Sequence, residues 1–110
     1  MFKRKIYIYI FFIQLLSADF LPLDNSLINY TQLFFKWPQI NQAEFYTLTI
    51  ENDSFQNFQI NTISNSVIVD DFLNWNNFYS WIVCGIDEFG SIISCYDTHY
   101  FSINNLPAYY

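Results

Sequence analysis

Basic residues are nearly absent from this chain. It holds four Lys and Arg against ten Asp and Glu, and three of those four bases, Lys3, Arg4 and Lys5, lie in the first five residues. Lys36 is the only other one. A surface so poor in cations repels a phosphate backbone, which excludes nucleic-acid binding. Histidine and cysteine are scarce too: His99, Cys84 and Cys95 are the whole supply. Two thiols and one distant imidazole do not make a zinc set. His99 sits near Asp97 and Tyr100 with no nucleophile motif beside it. No spaced D-x-D-x-D-G run offers a calcium loop. No catalytic residue, no metal ligand and no cofactor is therefore expected. Three Ala and one Met disfavour helix by propensity, and no capped stretch sustains i, i+3, i+4, i+7 apolar spacing. There is no internal repeat and no low-complexity linker, and 110 residues allow one domain.

What the chain has instead is aromatic bulk. Thirteen Phe, nine Tyr and three Trp supply a core from few residues. They are organised around residues 73–87. In the centre of that stretch Tyr79, Trp81, Val83 and Gly85 point one way, and Ser80, Ile82, Cys84 and Ile86 the other. Period two with aromatic and β-branched residues reads as a strand. Gly85 falls on the core face, where something packs too close for a side chain. Residues 87–90 form a turn, with Gly90 free to take positive φ.

The rest of the chain reads the same way. Residues 19–29, with Pro22, make a short Pro-edged first strand. Leu33, Phe35 and Trp37 point inward from a strand that Pro38 ends. Residues 39–44 loop, with Ile40 and Ala43 folding back onto the core. Residues 45–50 are a strand with Tyr46, Leu48 and Ile50 in, and Thr47 and Thr49 out. After a turn at 51–54, Phe55, Phe58 and Ile60 sit in a short edge strand or irregular crossing. Residues 61–65 turn and 66–69 form a short strand. Residues 91–96 return as the last hairpin strand, which bends near Asp97 and resumes over 100–103. Trp37, Tyr46 and Trp81 are the expected core aromatics.

The N-terminus carries the parts of an export signal. Residues 1–5 are basic, residues 6–16 form an apolar run broken only by Gln14, and Ser17-Ala18 offers small residues for cleavage. The rival is an uncleaved amphipathic or membrane-anchoring segment, because Ser17-Ala18 is only half of an A-x-A site. The run is too short to span a bilayer unless tilted or extended. If cleavage follows Ala18, one base and ten acids remain, a net charge of −9. That charge favours solubility.

Four features bear on chemistry. If the hairpin loop is residues 88–91, Asp87 faces Ile92 and Cys84 faces Cys95 across the ladder, close enough for a disulfide. A loop shorter by two residues leaves them diagonal and both free. Export would permit the bridge. Asp70-Asp71 and Asp87-Glu88 are paired carboxylates, but both pairs fall at expected turns, where acids serve the backbone. Asn29-Tyr30-Thr31 and Asn52-Asp53-Ser54 fit the N-glycosylation pattern. Phe34, Phe45, Phe78, Ile82 and Ile86 are expected to face outward, and a patch of that kind marks a partner or an adjoining domain.

Leu73, then Tyr79, Trp81, Val83, Gly85 and Asp87, followed by Gly90 and Ser94, resembles the E–F corner and F strand of a fibronectin type III domain. Phe35-Lys36-Trp37 resembles the B strand of that family, Ala43 with Tyr46-Thr47-Leu48-Thr49-Ile50 its C strand, and Phe101-Ser102-Ile103 the end of its G strand. Two positions depart from the pattern: Trp75 stands where Pro is common, and Asp70 where an apolar residue is. The resemblance implies an all-β, seven-stranded antiparallel two-sheet sandwich, with a plainer immunoglobulin-like sandwich as the alternative. It also implies a tyrosine corner made by Leu73 and Tyr79. The divisions expected are a signal peptide at 1–18, the sandwich at 19–103, and a tail or start of linker at 104–110. Such domains serve as non-catalytic binding, adhesion or spacer modules, here secreted, periplasmic or at the cell surface. The expected partner is a protein or glycan ligand, or an adjoining domain, with the membrane met only through the export signal. The ending Phe-Ser-Ile-Asn-Asn-Leu-Pro is also similar to the start of exported bacterial aryl-sulfate sulfotransferases. There a small sandwich precedes a catalytic propeller, which would make this chain an accessory piece of a longer enzyme.

Overall fold

The computed structural model describes residues 20–105, so the expected signal at 1–18 and the last five residues of the tail lie outside the described residues. Between them run eight strands: β1 (Ser26–Ile28), β2 (Leu33–Lys36), β3 (Phe45–Asn52), β4 (Asn57–Thr62), β5 (Ser66–Val69), β6 (Asn77–Ile86), β7 (Ile92–Cys95) and β8 (His99–Ile103). No helix occurs among the described residues. One sheet has the order β1-β8-β6-β3-β4, with β7 beside β6 beyond the end of β8; β2 and β5 form the second sheet.

The core forms where the alternating faces of the two sheets meet. Tyr46, Leu48 and Ile50 of β3 and Tyr79, Trp81 and Val83 of β6 are buried, and so are Leu33, Phe35 and Trp37 from β2 and its continuation. β3 and β6 are antiparallel over eight residue pairs, from Phe45 opposite Ile86 to Asn52 opposite Tyr79. This long register fixes which side of each strand is apolar, since a slip of one residue would turn every core side chain outward.

The structure departs from the sequence expectations in four places. The count is eight strands, not seven, because the bend at 96–98 divides the last strand into β7 and β8. The first strand is not one edge strand: Leu21 bridges Lys36 of β2, and after a turn β1 runs parallel to β8 in the other sheet. Phe55 lies in the β3–β4 turn with φ 64°, not in a strand. Ile86 is buried, 7% exposed, although alternation places it outward. Ile86 keeps its outward place opposite Phe45 in the unbroken β3–β6 ladder and is buried outside the main core cluster; beside it Gly85 faces Ser94 but Ile86 faces Ile92, so Ile93 of β7 is the extra residue of a bulge. β5 ends at Val69, so Asp70 stands beyond the strand, exposed.

The loop of residues 38–44 closes one end of the core. Tyr46 hydroxyl accepts a hydrogen bond from Ile40 N–H at 2.9 Å, and Tyr96 hydroxyl donates to the Pro38 carbonyl at 2.8 Å. Ile40 then lies over Gly85, where an added Cβ would be 3.0 Å from Ile40 Cδ1 and 3.1 Å from its Cγ2. Gly85→Ala is therefore expected to destabilise the fold by about 1–3 kcal/mol, the usual cost of overpacking. Urea denaturation of Gly85→Ala, Ile40→Ala and the double variant checks this. The combined loss should be smaller than the sum of the two single losses, since removing Ile40 makes room for the new methyl.

Candidate functional site

The outward face of the larger sheet carries the densest exposed aromatic group. On β6, Phe78, Ser80 and Ile82 alternate with the core residues; on β8, Tyr100 alternates with half-buried His99 and buried Phe101. Ser80 faces Tyr100 and Phe78 faces Ser102, so Phe78 and Tyr100 are diagonal neighbours on adjacent strands. Phe55 reaches the same region from the β3–β4 turn. Together with Glu51, Asp53 and Ser80 these rings line a groove of about 230 Å³. Phe55, Phe78 and Tyr100 are 81%, 66% and 52% exposed. A second groove of about 110 Å³, with Asn25, Ser26 and Ser102, lies against the same two rings, Phe78 and Tyr100.

Hydrogen bonds fix the backbone that carries each ring. Tyr100 N–H donates to Asp24 Oδ1 at 2.9 Å, and its carbonyl accepts from Asn25 N–H at 2.7 Å. Asp53 Oδ2 lies 3.5 Å from Phe78 N–H, which keeps a carboxylate beside that ring. Asn52 builds the turn that carries Phe55. Its Oδ1 accepts from Ser54 N–H at 3.0 Å and Gln56 N–H at 2.9 Å, while its Nδ2 donates to Gln56 Oε1. Phe55 itself has a left-handed backbone, which costs a side chain with a Cβ about 1–2 kcal/mol. Its ring is exposed, so burial returns little of that cost. Phe55→Gly is accordingly expected to raise stability in urea by about 0.5–1.5 kcal/mol, offset in part by the chain entropy of glycine.

The other candidate residues are placed as follows. Cys84 and Cys95 face each other and form a disulfide, S–S 2.02 Å and Cα–Cα 4.0 Å. Tyr96 N–H donates to the Val83 carbonyl next to them, and by the alternation of an antiparallel ladder this puts the cysteines at a non-hydrogen-bonded pair, where strands lie closest. The bridge joins residues eleven apart. Reduction, or Cys84→Ser with Cys95→Ser, is expected to cost about 2–3 kcal/mol by chain entropy, read as a lower urea midpoint.

Tyr79 hydroxyl accepts from Asn74 N–H at 2.7 Å, beside buried Leu73. Burial pushes the Tyr79 hydroxyl above the ordinary tyrosine range; the Asn74 backbone bond pulls it down and Asp53 pushes it up. Tyr96 is likewise raised, by burial and then by Tyr46. A hydroxyl that ionises later when folded supports the fold fully below about pH 10, the unfolded value. That support is lost as pH rises through the higher folded values. Stability should therefore fall above about pH 10, and Tyr79→Phe should flatten that fall relative to its own neutral value in a pH series of urea melts.

His99 packs into an aromatic cluster: its ring stacks on Phe20 at 4.5 Å and lies 5.2 Å from Trp81. Its Nδ1 is 2.9 Å from the Asp97 carbonyl, an arrangement that places the proton on that nitrogen. Asp87 closes the β6–β7 turn, with Oδ1 accepting from Phe89 and Ser91 N–H at 2.9 Å each; Gly90 has φ 84°. Glu88, Asp70 and Asp71 are exposed. Among the described residues no group of three or more His, Cys, Asp or Glu is placed to hold a metal. Of the expected outward apolar residues, Phe34 and Phe78 are exposed, Phe45 and Ile82 are half-buried, and Ile86 is buried.

The parts of the groove that the sequence reading missed are Phe55 and Tyr100. The signal for Tyr100 was present: with Phe101 and Ile103 inward, alternation turns Tyr100 out. Phe55 carried no such signal, since its place depends on the turn that Asn52 builds. Set against family models, curated proteins and solved structures, the chain matches none of them.

Proposed function

We propose that this chain is a non-catalytic, extracytoplasmic binding or spacer module. Its docking face is the outward side of the larger sheet. The observation that carries the reading is the clustering of Phe55, Phe78 and Tyr100 around one groove, all three well exposed. Single exposed apolar residues need no explanation, whereas a group held together around a concavity points to a partner. Ile63 and Phe89, also exposed, stand away from that groove.

A fibronectin type III or immunoglobulin-like class for the fold is part of the same proposal. In its favour, β2 and β5 share one sheet while β3, β6 and β7 share the other, the division of B and E from C, F and G strands. The Tyr79 hydroxyl bonded beside Leu73 also favours it. The extracytoplasmic setting is supported by the Cys84–Cys95 bridge, which suits an oxidising compartment.

Photocrosslinking in cells that express the chain tests the reading. A photoreactive phenylalanine analogue at position 78 or 100 is expected to give a discrete adduct, and the same analogue at position 89 none. Equal labelling from all three positions, or from none, would count against a docking face here.

A further inference from the structure

We infer that the groove between Phe55, Phe78 and Tyr100 receives an arginine side chain from a basic segment of a partner protein. The inference rests on the binding-module reading and names its ligand chemistry. Three observations lead to it.

The first is the donor–acceptor balance. The charged groups at the groove, Glu51 and Asp53, are acceptor-only when ionised. Asn52 Nδ2 gives one of its two hydrogens to Gln56 Oε1, and the Ser80 and Tyr100 hydroxyls can serve as donor or acceptor. The charged part of the groove is thus acceptor only, and a ligand group that is all donor matches it. A guanidinium has five N–H donors and no acceptor.

The second is the aromatic lining. A cation over the face of Phe or Tyr is attracted by the ring quadrupole, and a planar guanidinium stacks on such faces while forking onto a carboxylate. Phe78 and Tyr100, diagonal on neighbouring strands, offer two rings beside the Asp53 carboxylate.

The third is charge complementarity. Among the described residues the one base is Lys36, and it stands on β2 in the other sheet. The acids at the groove therefore meet no cation from the described surface near them. The groove is also shallow. A small free cation would want a site that buries most of its surface, while a side chain tethered to a partner does not. The occupant is thus a residue of a protein, not a free amine.

The test uses the full chain and a blocked peptide of alternating arginine and glycine, followed by amide NMR shifts at low and moderate salt. The expected result is saturable binding, with the largest shifts at Phe78, Ser80 and Tyr100. Phe78→Ala and Tyr100→Ala should each weaken it by about threefold or more, in line with a cation–π contact. Asp53→Asn should weaken it too, while Tyr100→Phe, which keeps the ring, should bind almost as the parent does. A peptide with glutamate for arginine should not bind. All four changes are at exposed positions, and the dispersion of the same spectra checks the fold. Unchanged binding by Phe78→Ala and Tyr100→Ala would overturn the inference, showing only diffuse attraction to an acidic chain. Displacement of the peptide by a neutral oligosaccharide such as cellopentaose would overturn it in favour of a glycan. If the peptide does not bind but position 78 still crosslinks a partner in cells, the arginine inference falls and the binding-module reading stands. If neither occurs, both fall.

Discussion

Everything in this structure hangs on one contact between the sheets, the insertion of Phe35 between Trp81 and Phe101. Its ring meets Trp81 edge-on at 5.2 Å and Phe101 at 5.9 Å. The smaller sheet is two strands of four residues each, joined to the chain before it by a single bridge at Leu21. A pair that short has no stability of its own. It persists because Leu33, Phe35 and Trp37 are buried against the face of the larger sheet. The geometry has a cost, since the indole N–H groups of Trp37 and Trp81 are buried with no acceptor among the described residues. Each unpaired group costs about 1–3 kcal/mol. Burying a ring of that size is worth roughly 4–6 kcal/mol at 25 cal/mol per Å², so the hydrophobic term wins at both positions.

The second constraint acts at the far end of β6. Ile40 occupies the space over Gly85, and the loop that brings it there is tied by two tyrosine hydroxyls. The glycine lets the loop descend onto the core. One residue later β7 carries the bulge at Ile93, and Ile86, opposite Phe45 on the other face of β6, is buried outside the main core cluster. Beyond the bulge the cysteines are again in register, so their bridge secures β7 to β6 where β7 has no other strand beside it.

Much of this was legible in the sequence, and for one reason. Where a strand is buried on one face only, its period of two is written in residue type. Tyr46, Leu48 and Ile50, and likewise Tyr79, Trp81 and Val83, could be assigned to the core from alternation alone. So could the tight approach at Gly85. Illegible were the features that depend on register. No local pattern announces that Ile93 is the extra residue of a bulge, or that Ile86 is covered on the outward face. Nor does one announce that the chain before β2 serves two sheets in turn, because Leu21 and β1 are too short to show a period. The groove was the least legible part. It joins a turn and three strands, β3, β6 and β8, and only the β6–β8 register brings Phe78 beside Tyr100.

The outer face then poses a question of physical necessity. Phe34 and Ile68 are also exposed, directly opposed on the smaller sheet, and they can be understood as cross-strand partners that steady a short ladder. Phe55 has no such role. It has no strand partner, its ring is in water, and its backbone takes a conformation that glycine or asparagine would adopt with less strain. Asn52 uses both its amide oxygen and its amide nitrogen to shape the turn that holds it. Folding alone does not call for an aromatic residue there. An exposed ring on a strained backbone, beside two others and two acids, is the kind of local conflict that concentrates at ligand sites. That conflict, more than the exposed area itself, separates this face from the rest of the surface.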